Sequence, residues 1–304
     1  MGLMPDMAVL DFSAWAQARR QGVEAALAGW VPPDAPAGLG AAMRYAVLDG
    51  GKRLRALLVL ATSEAVHGNP DAGLRAACAV ELIHAYSLVH DDLPCMDDDV
   101  LRRGKPTVHV KFGEAQALLA GDALQALAFE CLLPEGPGVP AAMQAALARL
   151  LARAAGAQGM AGGQAIDLAS VGKPLTESQL RHMHQLKTGA LLQASVLMGA
   201  ACAPQALGGR AQAALHSFGA ALGLAFQVVD DILDVTADSA ALGKTAGKDA
   251  QADKPTYVSL LGLAPARALA ERLRQQAQDA LGASGLPDVA ALRALADQVV
   301  QRTH

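Results

Sequence analysis

Aromatic residues are scarce in this sequence: Trp, Tyr and Phe together make up 3% of its 304 residues. β-Branched residues are also few, whereas Ala and Leu dominate, and this bias favours helix over strand. We therefore expect almost no β-sheet. Hydrophobic residues make up 52% of the chain, which is enough for a sizeable core, and the length permits one or two domains.

Cysteine is rare as well, and the four residues are Cys78, Cys95, Cys131 and Cys202. They form no C-x-x-C pair and have no His at zinc-binding spacing. The favoured interpretation is small apolar side chains in a reducing compartment. Cys95 lies inside an acidic segment, where an unreactive filler is favoured over a reactive thiol.

The chain also lacks a strong charge of either sign. Its formal net charge is −4, and its Lys and Arg residues occur locally rather than in a stripe, which argues against nucleic-acid binding. The N-terminus lacks a basic segment followed by an apolar one. No apolar run reaches the length of a bilayer without a charge or a Gly or Pro interruption. We expect a cytoplasmic protein without stable membrane insertion.

The densest charge lies in the segment from His84 to Arg103. Acidic residues crowd together there and two arginines follow them: Asp91, Asp92, Asp97, Asp98, Asp99, Arg102 and Arg103. A solvated loop is the plainer interpretation from composition alone. However, the preceding residues are apolar with helical spacing, which favours a buried helix that carries carboxylates to a site. Oxygen ligands suit Mg²⁺ and paired arginines suit phosphate, so the segment predicts a metal-bridged diphosphate.

A second acidic set lies in FQVVDDILD, from Phe226 to Asp234. Gln227, Asp230 and Asp234 fall at i, i+3 and i+7, which places them on one face of a helix. Two separated acidic helix segments strengthen the interpretation of a shared metal site.

A glycine turn precedes both acidic segments. GGKRLR, from Gly50 to Arg55, presents Lys52, Arg53 and Arg55 at the entrance of an apolar helix. Backbone amides at such a turn bind anions, and cations strengthen the site. Taken alone, the turn is more often a solvated helix start.

At this point the sequence resembles the trans-isoprenyl diphosphate synthases, most closely the bacterial ones that make farnesyl diphosphate. DDLPCMDDDVLRRG is similar to the first aspartate-rich motif of that family, with two extra residues between the acids, and FQVVDDILD is similar to the second. Further motifs occur in the family's order: GGKRLR, GGQAIDL at Gly162 to Leu168, KTGALL at Lys187 to Leu192, and LGK at Leu242 to Lys244. The resemblance spans roughly positions 40 to 260.

The resemblance implies an all-α fold, a single domain over residues 1–304 built as one large helical bundle around a central cavity. It also implies a homodimer, and Mg²⁺ as cofactor with three ions per active site. The implied metal ligands are Asp91, Asp92, Asp97, Asp230, Asp231 and Asp234. The implied catalytic residues are Asp91, Asp97, Lys187 and Asp230. Isopentenyl diphosphate and allylic diphosphates are the implied substrates.

The implied substrate-binding residues fall into two groups. Lys52, Arg55 and His84 would hold isopentenyl diphosphate together with Arg103. The remaining residues would contact the allylic diphosphate or the cation formed from it: Arg102, Lys187, Thr188, Gln227, Lys244 and Lys254. The segment from Asp238 to Asp253 suits a lid that closes on phosphate, with a plain surface loop as the alternative. Two departures from the family pattern are Ala56, where Pro is usual, and Asp253 beside Lys254, where Gly is usual.

Tyr86 and Ser87 are the implied determinants of chain length. Tyr86 precedes Asp91 by five positions, which is roughly 7–8 Å along a helix at about 1.5 Å per residue. Its ring would form the floor of the elongation pocket and stop the product at fifteen carbons. A twenty-carbon, geranylgeranyl product is the main alternative. Two alternatives are more distant. A silent subunit of a heteromeric synthase is disfavoured because both acidic motifs are intact. A cyclising terpene synthase is disfavoured because it would not need GGKRLR and His84 for a second diphosphate.

Overall fold

The computed structural model of the protein describes residues 10–48, 50–236 and 255–302, and these are almost entirely helical. The prediction of an all-α fold is confirmed. The helices are α1 (Phe12–Trp30), α2 (Leu39–Val47), α3 (Leu54–Ala65), α4 (Pro70–Asp91), α5 (Val108–Phe112), α6 (Glu114–Leu132), α7 (Ala141–Ala155), α8 (Met160–Ala169), α9 (Glu177–His184), α10 (Ala190–Ala201), α11 (Gly209–Thr236), α12 (Tyr257–Leu261), α13 (Leu263–Ala283) and α14 (Ala290–Gln301). The antiparallel strands β1 (Leu101–Arg102) and β2 (Lys105–Pro106) form a short hairpin.

Helix α4 is the centre of the bundle. It packs against α3, α6 and α10, and most of its residues are buried, since both its faces meet other helices. By length and composition α4 could cross a membrane, but 72% of its most apolar 18-residue window is buried inside the fold. The helix begins at Pro70 rather than near Gly73, because the Asn69 side chain accepts a hydrogen bond from Ala72 N and caps it.

Helices α10 and α11 complete the region around the C-terminal half of α4. Helix α10 packs on α3, α4 and α11, and α11 packs on α13. Helix α10 therefore connects α4, which carries the first acidic segment, with α11, which carries the second. The predicted helix from Phe112 to Leu133 is present as α6, which begins two residues later because Gly113 has a φ of 88° and separates it from the short helix α5.

A widened helical turn, Gln185–Gly189, links α9 to α10. Such π-type turns are rare and frequently occur at functional sites. The turn contains Lys187 and Thr188 of the KTGALL motif. Two other glycines allow its close packing: a Cβ at Gly163 of α8 would collide with Lys187 N, and one at Gly223 of α11 would lie 2.8 Å from Gly189 Cα.

Candidate active site

A cavity of about 400 Å³ opens at the C-terminal end of α4. It brings together residues that the sequence analysis singled out on α3, α4 and the turn before α10: Arg55, His84, Tyr86, Ser87, Asp91, Lys187 and Thr188. It is also lined by Gln164 of α8, whose amide atoms are buried without a hydrogen-bond partner in the described part of the chain. Cationic and acidic side chains thus share one space.

The glycine turn before α3 is held by a buried ion cluster. Gly50 and Gly51 have φ values of 106° and 111°, and Arg53 has a φ of 50°. The Arg53 side chain points inward, where Nε donates to Glu24 at 2.6 Å and Nη1 to Glu81 at 3.2 Å. Arg53 was expected to strengthen an anion site. It instead braces the turn from inside. Of the two cations beside it, Arg55 lines the cavity and Lys52 is exposed outside the lining.

Arg55 and His84 form the basic wall of the cavity. Burial lowers the pKa of Arg55 to about 10, so the guanidinium stays charged at neutral pH. Its Nε is buried and has no acceptor among the residues that the structure describes. Burial, and then the positive charge of Arg55, lowers the pKa of His84 well below its usual value. A neutral imidazole beside an unsatisfied cation is ready to donate hydrogen bonds to an anion.

Arg103 of the acidic loop lies near this basic wall, since its charge acts on Arg55 and His84, but it lines a neighbouring pocket together with Arg102. Its backbone has a φ of 53°, and its Nη1 donates to Gly50 O at 3.0 Å. A Cβ on Gly51 would lie 2.9 Å from the same Nη1 atom, so a glycine is needed at this position. The loop that follows the first acidic motif is thereby joined to the glycine turn, as the predicted diphosphate site requires. Burial, the main cause, lowers the pKa of Lys52, with the charge of Arg302 second.

The first acidic motif begins where α4 ends. Asp91 lines the cavity, and burial raises its pKa to about 6, although the charge of Lys187 opposes the shift. The next residue is engaged with the protein: Asp92 is 2% exposed and accepts hydrogen bonds from Arg102, the shortest at 2.6 Å. The loop closes on itself through Asp97 N, which donates to Asp91 O at 2.9 Å. The predicted diphosphate contact of Arg102 and metal contact of Asp92 therefore stay predictions.

Lys187 lies in the widened turn and is held by Asp167 of α8. Its Nζ donates to Asp167 Oδ2 at 2.6 Å, and the Asp167 side chain is 5% exposed. The lysine also faces Asp91 electrostatically, since its charge is the largest one that lowers the pKa of Asp91. Lys187 therefore stands between a buried carboxylate and the acidic motif, in a position to move onto an anion in the cavity.

The second acidic motif is connected to the same turn by a chain of hydrogen bonds. Thr188 Oγ donates to Gln227 Oε1 at 3.0 Å, and Gln227 Nε2 donates to Asp231 Oδ1 at 2.8 Å. Asp231 Oδ2 accepts from Tyr257 N at 2.7 Å. Asp231 is thus a structural acceptor here, and its predicted metal contact stays a prediction. Because the Thr188 hydroxyl donates its hydrogen bond to Gln227, the lone pairs of the hydroxyl oxygen stay available to other groups.

Two carboxylates of this motif differ in their surroundings. Asp230 lies 3.6 Å from Arg302 Nη2, and its charge raises the pKa of Lys52 and Arg55, so it faces the glycine turn. Asp234 is 4% exposed, and its Oδ1 finds no hydrogen-bond partner within the described ranges. An orphaned buried carboxylate oxygen is costly unless a cation or donor occupies the place beside it.

The acidic residues suit Mg²⁺ that is bound jointly by protein carboxylates and by the phosphate oxygens of a substrate. Among residues 10–48, 50–236 and 255–302, no three Asp, Glu, His or Cys side chains are close enough to hold a metal ion by themselves. Mg²⁺ is usually bound by one or two carboxylates plus phosphate oxygens and waters, so no such cage is required. The all-oxygen donor set and the orphaned Asp234 oxygen fit this ion.

Some of the residues that shape the site were missed from the sequence. Asp167 lies inside the GGQAIDL motif, and only its ion pair with Lys187 in the structure reveals its part. Arg302 packs 4.0 Å above the ring of Phe226 and donates to Phe226 O, and its place near the chain end gave no signal. Glu81 could have been found, because a lone acid in an apolar helix is rarely buried without a partner. The predicted contacts of Lys244 and Lys254, and the lid around them, lie outside the described residues.

The helical bundle has a cavity lined by Arg55 and by Asp91 of the first acidic segment, and the second acidic segment is hydrogen-bonded to the widened turn beside that cavity, although none of its residues lines it. This arrangement defines the protein as an enzyme of the all-α isoprenoid synthase type. Comparison with known proteins gives the family. The sequence profile of the polyprenyl synthetase family matches residues 36–285, and the chain belongs to that family.

Three relatives illustrate how similar the chain is to known members. It is 50% identical over 263 residues to the farnesyl diphosphate synthase of Escherichia coli, covering 86% of this chain and 88% of that one. It is 45% identical over 300 residues to a chloroplast geranylgeranyl pyrophosphate synthase of Arabidopsis thaliana, covering 96% and 82%. Its structure is similar to a Helicobacter pylori geranyltransferase complexed with magnesium and isoprenyl diphosphate, with a TM-score of 0.85, 33% identity and coverage of 99% and 100%.

Proposed function

We propose that the protein condenses isopentenyl diphosphate with dimethylallyl or geranyl diphosphate and releases farnesyl diphosphate. The observation that carries this proposal is the shared cavity, which Arg55 and His84 line together with Asp91, Lys187 and Thr188. Two diphosphates need two separate sets of positive charge. One set here consists of arginine side chains, and the other would consist of the metal ions that the acidic motifs bind.

The acidic side chains would hold magnesium around the allylic diphosphate. The residues best suited are Asp91 and Asp97 of the first motif and Asp230 and Asp234 of the second, and three ions per site suit this number of carboxylates. Bound Mg²⁺ supplies Lewis acidity that neutralises the leaving diphosphate. The raised pKa of Asp91, about 6, reflects a carboxylate that is buried before a cation shares its site.

Lys187 stabilises the departing diphosphate. In the structure it donates to the buried Asp167 at 2.6 Å, and its charge also acts on Asp91. A diphosphate in the cavity competes with Asp167 for the ammonium group, which has three donors and can serve both. The carbon–oxygen bond of the allylic substrate then breaks with the electron pair on the diphosphate, and an allylic cation remains.

Thr188 faces that cation with an oriented oxygen. Its hydroxyl proton is committed to Gln227 Oε1, so the oxygen presents lone pairs to the cavity that it lines. Fixed dipoles of this kind stabilise a developing charge without reorganisation. Gln227 acts behind Thr188 rather than beside the cation.

Arg55 and His84, with Lys52 and Arg103, hold isopentenyl diphosphate so that its double bond faces the cation. The new carbon–carbon bond forms from the electrons of that double bond, and a proton then leaves the adjacent carbon. The released diphosphate accepts the proton, and no side chain is assigned as general base. Water is kept away by the apolar part of the lining, to which Met96, Met160 and Leu168 contribute.

Product length follows from the depth of the cavity. Tyr86 and Ser87 line it on α4, and the Tyr86 side chain is 9% exposed. A buried aromatic ring five positions before Asp91 supports a fifteen-carbon product. A twenty-carbon product is the alternative, favoured by the similarity to a geranylgeranyl pyrophosphate synthase at 45% identity.

Product analysis tests the proposal. Purified protein receives Mg²⁺, isopentenyl diphosphate and either dimethylallyl or geranyl diphosphate, and chain length is measured by mass spectrometry. We expect farnesyl diphosphate, with loss of product on EDTA addition or in Asp91→Ala. The matched control is Asp279→Ala, since Asp279 lies on α13 and accepts an exposed hydrogen bond from Gln275, away from the cavity. Failure to elongate either substrate contradicts the proposal, and a geranylgeranyl product contradicts its chain-length part.

We also propose that the protein works as a homodimer in the cytoplasm. The support is the resemblance to the family together with the absence of disulfides among the described cysteines. Analytical ultracentrifugation at working concentration checks the dimer, and a monomeric active enzyme contradicts it.

A further inference from the structure

We propose that Asp231 sets the direction of the hydrogen bond that Thr188 makes, and that it serves the reaction as a positioning residue rather than as a metal ligand. The inference rests on the proposed prenyl transfer and deepens it, because it assigns a separate role to one carboxylate of the second acidic motif. Asp231 acts on the reacting carbons only through Gln227 and Thr188.

Both carboxylate oxygens of Asp231 are already bonded within the protein. Oδ2 accepts from Tyr257 N at 2.7 Å, and Oδ1 accepts from Gln227 Nε2 at 2.8 Å. Asp231 is 2% exposed and does not line the cavity. The neighbouring side chain of Asp230 is 42% exposed. Solvent and a hydrated ion therefore reach Asp230 but not Asp231.

The carboxylate of Asp231 decides which end of the Gln227 amide faces Thr188. A carboxylate only accepts hydrogen bonds, so Gln227 directs its NH₂ group toward Asp231. The carbonyl oxygen of Gln227 then points the other way and can only accept, so the Thr188 hydroxyl donates to it at 3.0 Å. The two hydrogen bonds therefore run in one direction, and the Thr188 oxygen keeps its lone pairs for the cavity that Thr188 lines.

The second partner of Asp231, Tyr257, is itself fixed by packing. Its side chain is fully buried and stacks on His184, with ring centroids 5.7 Å apart and an interplanar angle of 30°. His184 is the last residue of α9 and directly precedes the widened turn that contains Thr188. The contacts thus form a closed path that leaves the turn at Thr188 and returns to it at His184. The backbone N–H that Asp231 accepts is therefore held in place relative to that turn.

The direction of the Thr188 hydrogen bond matters because the reaction forms a positive charge. A hydroxyl group can rotate, and it can present either its proton or its lone pairs to the cavity. Lone pairs stabilise an allylic cation, whereas a proton directed at it is repelled. A dipole that is oriented in advance acts without reorganisation during the reaction. Asp231 removes the rotational freedom of Thr188 before the substrate arrives.

Asp231→Asn is the decisive variant, because it keeps the shape of the side chain and replaces one acceptor with a donor. Tyr257 N retains the remaining oxygen, so the new NH₂ group faces Gln227 and the Gln227 amide has to turn round. Thr188 then accepts from Gln227 and directs its proton into the cavity. We expect kcat with geranyl diphosphate to fall roughly 10- to 100-fold, which corresponds to one hydrogen bond to a charged group.

The Thr188→Val background separates this effect from general structural damage. Valine has nearly the shape of threonine but no hydroxyl group. If Asp231 acts through Thr188, Asp231→Asn should lower kcat by no more than about twofold in that background, since the two changes then remove the same interaction. Losses that multiply in the double variant overturn the inference.

Magnesium binding gives a readout that does not depend on turnover. Mg²⁺ is titrated by calorimetry into protein that has been supplied with inorganic diphosphate. We expect Asp231→Asn to bind Mg²⁺ as tightly as the wild type, and Asp230→Asn to bind it more weakly. Weaker Mg²⁺ binding in Asp231→Asn would identify Asp231 as a metal ligand and would also overturn the inference.

Asp279→Asn is the matched control. Gln275 Nε2 donates to Asp279 Oδ1 at 2.8 Å, which is the residue pair, spacing and distance of Gln227 and Asp231, but on the exposed face of α13. We expect the wild-type kcat. Circular dichroism checks folding, and if Asp231→Asn does not fold, Gln227→Met breaks the same path. Multiplying losses from Gln227→Met and Thr188→Val then overturn the inference.

The outcome for the wild-type protein separates this inference from the proposed function. A wild-type enzyme that makes farnesyl diphosphate, together with multiplying losses in the double variant, refutes only the role of Asp231. No elongation of either starter by the wild-type protein would instead refute the prenyl transfer itself.

Discussion

The buried pair of Arg53 and Glu81 permits a test of how the glycine turn is held. The two residues are 5% and 3% exposed. Glu81 Oε2 accepts from Arg53 Nη1 at 3.2 Å, and Oε1 accepts from Ala56 N at 3.1 Å. The substitution Glu81→Gln keeps the shape and the acceptor for Ala56 N, but it removes the negative charge from a buried guanidinium.

The expected loss of stability depends on the hydrogen-bond partners that Arg53 keeps after the substitution. Removing one member of a buried pair typically costs about 3–5 kcal/mol. Arg53 keeps Glu24 at 2.6 Å and Val47 O at 2.6 Å, so the low end of that range applies. We expect the free energy of unfolding to fall by about 3 kcal/mol, which lowers the melting temperature by roughly 5–10 °C in a chain of this size.

Urea denaturation followed by circular dichroism measures the stability, and steady-state kinetics measure the effect on the turn. Because Lys52 and Arg55 flank Arg53, the KM for isopentenyl diphosphate should rise, while the KM for the allylic diphosphate should stay near the wild-type value. Glu64→Gln is the control, since its pair with Arg19 is 42% and 44% exposed and is worth at most about 1 kcal/mol. Equal losses in the two variants would refute the reasoning, as would a KM increase shared by both substrates.

Other predictions concern the cavity. The pKa of the Asp91 carboxyl is raised to about 6, so this group stabilises the folded metal-free protein below pH 4, and the stabilisation is lost as pH rises toward 6. Asp91→Asn removes the buried charge and should therefore stabilise the metal-free protein at pH 7. We expect a gain of at most about 3 kcal/mol in the free energy of unfolding, measured by urea titration. A metal-free variant no more stable than wild type contradicts this. Asp167→Asn weakens the hold on Lys187, and we expect kcat to fall roughly tenfold with an unchanged KM for isopentenyl diphosphate, since a charged hydrogen bond is worth about 1.5–3 kcal/mol. Arg302→Met removes a cation near Lys52, and the KM for isopentenyl diphosphate should rise as salt-dependent attraction weakens, whereas an unchanged KM would place Arg302 outside the site.

Much of the fold was predictable because helices leave a regular trace. The Ala- and Leu-rich composition predicted an all-α protein, and the apolar residues before Asp91 predicted that a buried helix ends at the first acidic motif. A capping box at Thr176 and Gln179, whose T-x-x-Q spacing is visible in the sequence, is present. The start of α4 depends on single residues, because Asn69 caps the helix and Pro70 follows it.

The partners of the charged residues were not predictable in the same way. Sequence spacing shows which residues share a face of one helix, but Lys187 and Asp167 lie on different elements and are 20 positions apart. The resemblance to the family implies Asp92 and Asp231 as metal ligands beside Asp91 and Asp230. In the structure Asp92 accepts from Arg102 and Asp231 accepts from Tyr257 N, because buried carboxylates need donors even before a metal arrives.

The glycines around the widened turn constrain how this protein can change over time. Lys187 is packed through backbone contacts against Gly163, and Gly189 against Gly223, so almost any new side chain at those glycines collides with the turn. The cavity floor, in contrast, is formed by side chains, since Tyr86 and Ser87 line it from α4. Random mutation can therefore alter the cavity floor without disturbing the lysine that meets the leaving group. Product length is therefore the property of this fold that tolerates substitution, whereas the residues that serve ionisation tolerate little change.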